Sequence, residues 1–126
     1  MSDPNIRDFS VAAKSTDVFG RVLLNCREQH YVIDGPVQNG CPGEAVTPVE
    51  AFLSGIAACG VELLQVIGKD KEIQPRAIRA GVRGIIDRSN PVRQDYAVFN
   101  TVKVDFEIEG VTSDDGHTLV EAFKKR

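Results

Sequence analysis

Few residues in this sequence are equipped for chemistry. There are three cysteines, Cys26, Cys41 and Cys59, and two histidines, His30 and His117. No two cysteines form a C-x-x-C pair and the histidines stand apart, so no metal site is expected and no cofactor is called for. The phosphate-cradling G-x-x-x-x-G-K-[ST] and G-x-G-x-x-G patterns are missing, as is the G-x-S-x-G nucleophile elbow. That leaves Cys59, in AVTPVEAFLSGIAACGVELLQVIG, residues 45–68. A helical cysteine is either a small apolar packing residue or, as thiolate, a nucleophile. Glu62 follows three residues later and shares its helical face. A carboxylate there opposes a thiolate, so a reactive Cys59 needs an arginine from another element. Glu62 itself either pairs with such an arginine or lies in solvent.

The other candidates read as structural. Glu50 lies nine residues before Cys59. At roughly 100° per residue that places it on the opposite helical face. Its spacing from Thr47 makes a capping box, which accounts for it. Cys41 sits in a Gly- and Pro-rich loop, either as a tolerated loop residue or as a resolving thiol for Cys59. Cys26, at a strand end, reads as packed. His30 and His117 flank turns and read as surface residues.

The elements that position Cys59 can be read from periodicity. Residues 6–13, 21–26 and 31–34 are expected strands, with a turn near 27–29. The loop GPVQNGCPGEAV follows, residues 35–46. Thr47 then caps a helix, Pro48 opens it, and its end is expected near Gly68 to Asp70. Residues 78–87 and 102–109 alternate with period two and form a long antiparallel hairpin. Its register is expected to set Arg79 and Arg83 against acidic residues. A last helix is expected to be capped near Ser113 or Asp114, with the basic Lys124–Arg126 run at its C-terminus. Strands, an apolar helix, a hairpin and a helix make an α+β chain with mostly antiparallel sheet. The long helix is apolar nearly all round, so something beyond one small sheet must cover it. A homodimer would.

The totals narrow the function classes. At 126 residues the chain is expected to form one domain with one aliphatic core. The net charge of −3 is interspersed, with no basic stripe, so no nucleic-acid partner is expected. Residues 51–68 approach membrane-spanning length, but Glu62, Gln65 and the cap favour a buried core helix and no membrane partner. No apolar signal core opens the chain. A cytoplasmic protein with reduced thiols is expected.

One segment carries a family resemblance. DGPVQNGCPGEAVTPVEAFLSGIAAC, residues 34–59, resembles the OsmC/Ohr signature, in which an acidic strand end, a Gly-rich loop and a Thr-Pro-Glu helix start lead to Ala-Ala-Cys. The hairpin and GHTLVEAFKKR follow in the same order, so the resemblance spans nearly the whole chain. It implies antiparallel sheets packed around a long buried central helix in an intertwined homodimer. It also implies thiol peroxidase chemistry on organic hydroperoxides. Cys59 matches the peroxidatic cysteine and Arg21, in FGRVLL, is nearest to the arginine that holds its thiolate, with Arg27 in reserve. Phe52, Ile56 and Leu63 would line an apolar pocket, and a dithiol or small thiol would be the reductant. The chain departs from the family at three places. The Ohr glutamate lies ten residues before the cysteine, where this chain has Val49. No residue matches the family's second cysteine. The family also continues into a further helix and strand, so the domain, residues 1–126, is expected to lack the family's C-terminal part. The alternative is a non-catalytic dimer of the same fold that binds a small apolar ligand or serves a structural role.

Overall fold

The computed structural model describes residues 3–125. The elements are β1 (Ala12–Ser15), β2 (Arg21–Cys26), β3 (Gln29–Asp34), a short 3-10 helix (Val37–Asn39), α1 (Pro48–Asp70), β4 (Ala77–Ile85), β5 (Thr101–Glu109) and α2 (Ser113–Phe123). One antiparallel sheet runs β1-β2-β3 and a second pairs β4 with β5. The architecture is α+β, as the periodicity implies. Contacts divide the chain into two compact units, Met1–Ala51 and Phe52–Arg126.

In the first unit, β2 and β3 are joined by a two-residue turn at Arg27 and Glu28, with Arg27 in the left-handed region at φ 57°. Cys26 therefore faces Gln29, and Arg21 faces Asp34 at the far end of the hairpin. The first strand is shorter and later than expected. It pairs only from Ala12 opposite Asn25 to Ser15 opposite Val22. Residues 6–11 form no strand pairing among the described residues, because β2 turns just after Cys26. Ile6, Phe9 and Val11 are exposed instead, Phe9 at 84 %.

In the second unit, the β4–β5 register sets Ile78 opposite Ile108, Ala80 opposite Phe106 and Val82 opposite Val104. The outer face carries the charges. Arg79 lies opposite Glu107 and donates to Glu109. Arg83 does not meet an acid: it faces Lys103. The apolar pairs dictate this. A one-residue slip would turn every inner side chain to the outside, which costs far more than one exposed like-charge pair.

The core lies where α1 and α2 cross this sheet. Leu64, Ile67 and Leu119 are buried, flanked by Ile73, Ile78, Phe106, Ile108, Ala122 and Phe123. Phe106 and Phe123 meet edge to face at 5.1 Å between centroids. Gly60 lets α1 approach closely: a Cβ there would lie 2.9 Å from the Phe106 ring. Truncating Leu64 to Ala is expected to cost about 2–5 kcal/mol by loss of transfer energy and creation of a cavity. Val66→Ala, on the open side of the same helix, should change little. Urea denaturation of the two variants checks this difference.

α2 starts one residue earlier than the sequence implies. Thr112 is its cap, in extended conformation, accepting the Asp115 N–H at 3.1 Å. Lys124 follows its last turn; Arg126 lies outside the described residues. Within α1, the buried residues are Gly60, Leu64, Ile67 and Gly68. Among the described residues, α1 is the one helix long and apolar enough to cross a membrane, by length and composition alone.

Candidate functional site

The start of α1 forms as its sequence dictates. Glu50 Oε1 accepts from the Thr47 backbone N–H at 3.0 Å and from the Thr47 hydroxyl at 2.9 Å. The Thr47 Oγ1 in turn faces the Glu50 N–H at 3.5 Å. These bonds hold the Glu50 carboxyl below its ordinary value of 4.5. Its role is the cap. Val49, at the place of the Ohr glutamate, is 46 % exposed.

Cys59 lies in the second unit and is exposed. Phe52, Gly55, Cys59, Glu62 and Val66 recur at helical spacing and are all exposed, so the thiol sits midway along an open stripe of α1. A Cβ at Gly55 would meet nothing within 4 Å. Glu62 makes no hydrogen bond or ion pair among the described residues. Of the two outcomes open for it, the solvent position is the one found.

An apolar wall stands one end up the stripe. The ring of Phe52 stacks on Phe99 at 5.7 Å between centroids. Phe99 is wedged over Gly84, where any Cβ would collide with the ring. Phe52 remains 58 % exposed, whereas Ile56 and Leu63 are only partly exposed. Phe99 was not among the residues picked from sequence. Its one signal was an aromatic residue just before β5, in a stretch lacking periodicity.

Arg21 lies in the first unit, and its guanidinium is held firmly. Nε donates to Asp34 Oδ1 at 2.8 Å and Nη2 to Asp34 Oδ2 at 2.9 Å. Nη2 also reaches Glu44 Oε1 at 3.1 Å. Asp34 has no accessible surface, while the Arg21 side chain keeps 30 % of its own. The Asp34 carboxylate takes two further bonds, from the backbone N–H of Glu44 at 3.0 Å and of Ala45 at 2.8 Å. It is thus gripped by four donors. The Arg21 hydrogen bonds first, then those of the two N–H groups, hold the Asp34 carboxyl well below the usual carboxylate range. The same partners, Asp34 before Glu44, raise Arg21 further above its already high value. Nη1 is left without a hydrogen bond among the described residues.

The remaining candidates separate cleanly. Arg27 is exposed at the hairpin turn, at the opposite end of β2 from Arg21. Cys41 is seated in a notch made by two glycines: a Cβ on Gly35 would lie 2.5 Å from its sulfur, and one on Gly20 nearer still. Its thiol faces the Asn39 carbonyl at 3.8 Å. Cys26 is partly exposed at the end of β2, and His30 and His117 are exposed.

No protein-family model matches the chain, and no curated protein matches it. Solved structures do. An OsmC-like protein from Mycoplasma pneumoniae superposes with a TM-score of 0.80 at 18 % identity, over 95 % of this chain and 82 % of that one. The chain has the OsmC-like fold. An organic hydroperoxide resistance protein from Elizabethkingia anophelis matches with a TM-score of 0.76 at 15 % identity, over 98 % and 85 % of the two chains. The organic hydroperoxide resistance protein OhrB of Bacillus subtilis matches with a TM-score of 0.63 at 18 % identity, over 94 % and 84 %. The OsmC-like architecture read from the segment ending in Ala-Ala-Cys is therefore the one observed.

Proposed function

We propose that this chain is a cytoplasmic thiol peroxidase of the OsmC/Ohr type, a single OsmC-like domain that acts as a homodimer on organic hydroperoxides. The observation that carries this is the exposed Cys59 on the apolar long helix of an OsmC-like fold, two helical turns along the same open stripe from the Phe52–Phe99 stack. Solved structures of this fold include organic hydroperoxide resistance proteins. In the reaction, the Cys59 thiolate attacks the terminal peroxide oxygen. An S–O bond forms, the O–O bond breaks, and the alkoxide leaves as alcohol once protonated. The sulfenic acid then condenses with a small thiol, releasing water, and a second thiol reduces the mixed disulfide. The family resemblance assigns Arg21 to the thiolate, and its Nη1 is not taken up by Asp34 or Glu44. A small thiol is given the resolving role in this scheme, with Cys41, partly exposed between Gly20 and Gly35, as the other candidate.

Support for the dimer comes from what each unit leaves uncovered. In the first unit the buried residues are Leu24 and Asp34, while Phe9, Phe19 and Val37 are exposed. In the second, Phe52, Val66, Ile85 and Val102 are exposed around a small core. Exposed large apolar side chains in this number support an association surface.

The test is one equivalent of cumene hydroperoxide added to reduced protein, with a sulfenic-acid trap and intact-mass readout. An adduct at Cys59 within seconds supports the proposal. No adduct over minutes, in protein shown to be folded and dimeric, removes it. That second result favours the non-catalytic dimer with an apolar ligand. Two observations point that way: Arg21 is already paired to two carboxylates, and Val49 replaces the Ohr glutamate.

A further inference from the structure

We infer that Glu62 carries the proton in this site, taking it from the Cys59 thiol and giving it to the departing alkoxide. The inference rests on the peroxidase assignment of Cys59. Attack by a thiol on an alkyl hydroperoxide needs a base at the sulfur and an acid at the leaving oxygen. In the first unit, the carboxylates nearest in sequence to the helix are occupied: Glu50 by its cap, Asp34 and Glu44 by Arg21. The position ten before Cys59 is Val49 and supplies no carboxyl. Glu62 is the only charged side chain between Glu50 and Lys69. It has no hydrogen bond or ion pair among the described residues. It follows Cys59 by three residues on the same open stripe, which places their Cβ atoms about 5–6 Å apart. One peroxide oxygen bound at the sulfur fits within reach of that carboxylate.

The step balances without an added acid or base. The Glu62 carboxylate accepts the Sγ proton. The sulfur forms its bond to the terminal oxygen, which keeps its hydrogen, and the O–O electron pair leaves on the alkoxide. Protonated Glu62 then neutralises the alkoxide, restoring the carboxylate. The products are a sulfenic acid and an alcohol. An acid beside the thiol, unhelpful as a static charge, becomes useful as a relay.

The experiment compares wild type with Glu62→Gln, which is isosteric and on an exposed position. Second-order oxidation of Cys59 is followed with cumene hydroperoxide and with peracetic acid. The first leaves as a strongly basic alkoxide that must be protonated. The second leaves as acetate and needs no proton. Glu62→Gln is expected to slow cumene hydroperoxide by about 10²–10⁴-fold, and peracetic acid at least tenfold less severely. Equal losses with both oxidants, or no loss with either, overturn the inference while leaving Cys59 as nucleophile. A wild-type protein inert to both oxidants overturns the peroxidase assignment and the inference with it.

Discussion

Cys59→Ser is expected to abolish hydroperoxide reduction and to leave the protein folded. The two halves of this result have separate causes. A serine hydroxyl at neutral pH is too weak a nucleophile to open the O–O bond, so the rate should fall by at least about three orders of magnitude, to background. The side chain is exposed and bonded to nothing that depends on sulfur, so stability should change by no more than about 0.5 kcal/mol. Cumene hydroperoxide consumption, sulfenic-acid trapping and a urea curve on one preparation check both halves. Cys41→Ser supplies the contrast. Its sulfur fills the notch between Gly20 and Gly35, so that variant should lose stability and keep the reaction. If Cys59→Ser retains the wild-type rate, the peroxidase assignment is gone and the non-catalytic dimer takes its place. If Cys41→Ser instead stops turnover after a single oxidation, the loop thiol is a resolving group that leaves its notch.

Strands β2 to β5, the α1 helix and its cap were legible because each is specified locally. Period-two alternation fixed β4 and β5, and Thr47-Pro48-Val49-Glu50 carries its own start signal. What escaped depends on partners far away in sequence. Residues 6–11 have strand-like composition, but pairing ends where β2 turns at Arg27, and no local pattern reveals that. The charge match expected for Arg83 failed for the same reason, since inner-face packing sets the register. In the candidate site, the exposure of Cys59 and the solvent position of Glu62 answered questions that composition left open. The clamp around Arg21 was invisible beforehand. Arg21 and Asp34 are thirteen residues apart and meet only because a two-residue turn fixes the β2–β3 register. Asp34 is legible as an acidic strand end, but its burial against that arginine follows from the register alone.

Removing the Asp34 carboxylate is expected to be the most damaging polar substitution in the first unit. Its two oxygens hold Arg21 in β2 and the Glu44 and Ala45 N–H groups in the loop that leads to α1. Asp34→Ala leaves the guanidinium with Glu44 alone and two backbone donors without their acceptor, a loss that in a small domain lowers Tm by something on the order of 10 °C. Asp34→Asn keeps the shape and part of the acceptor capacity, so it should fall between Asp34→Ala and wild type. The acid limb separates charge from shape. Asp34 titrates well below its ordinary value of 3.8 in the folded chain, so above 3.8 both states are ionised and its contribution is complete and level. As pH drops from there, the unfolded chain takes up the proton first, and stability declines until the folded carboxyl is protonated too. Glu50, Asp87, Asp95 and Glu109 are also held below their ordinary values, so the wild-type limb is a sum. The difference between wild type and Asp34→Asn isolates one carboxylate: it should be largest above pH about 5 and shrink steadily toward pH about 2. If the gap stays constant across that interval, the clamp is held by shape rather than charge.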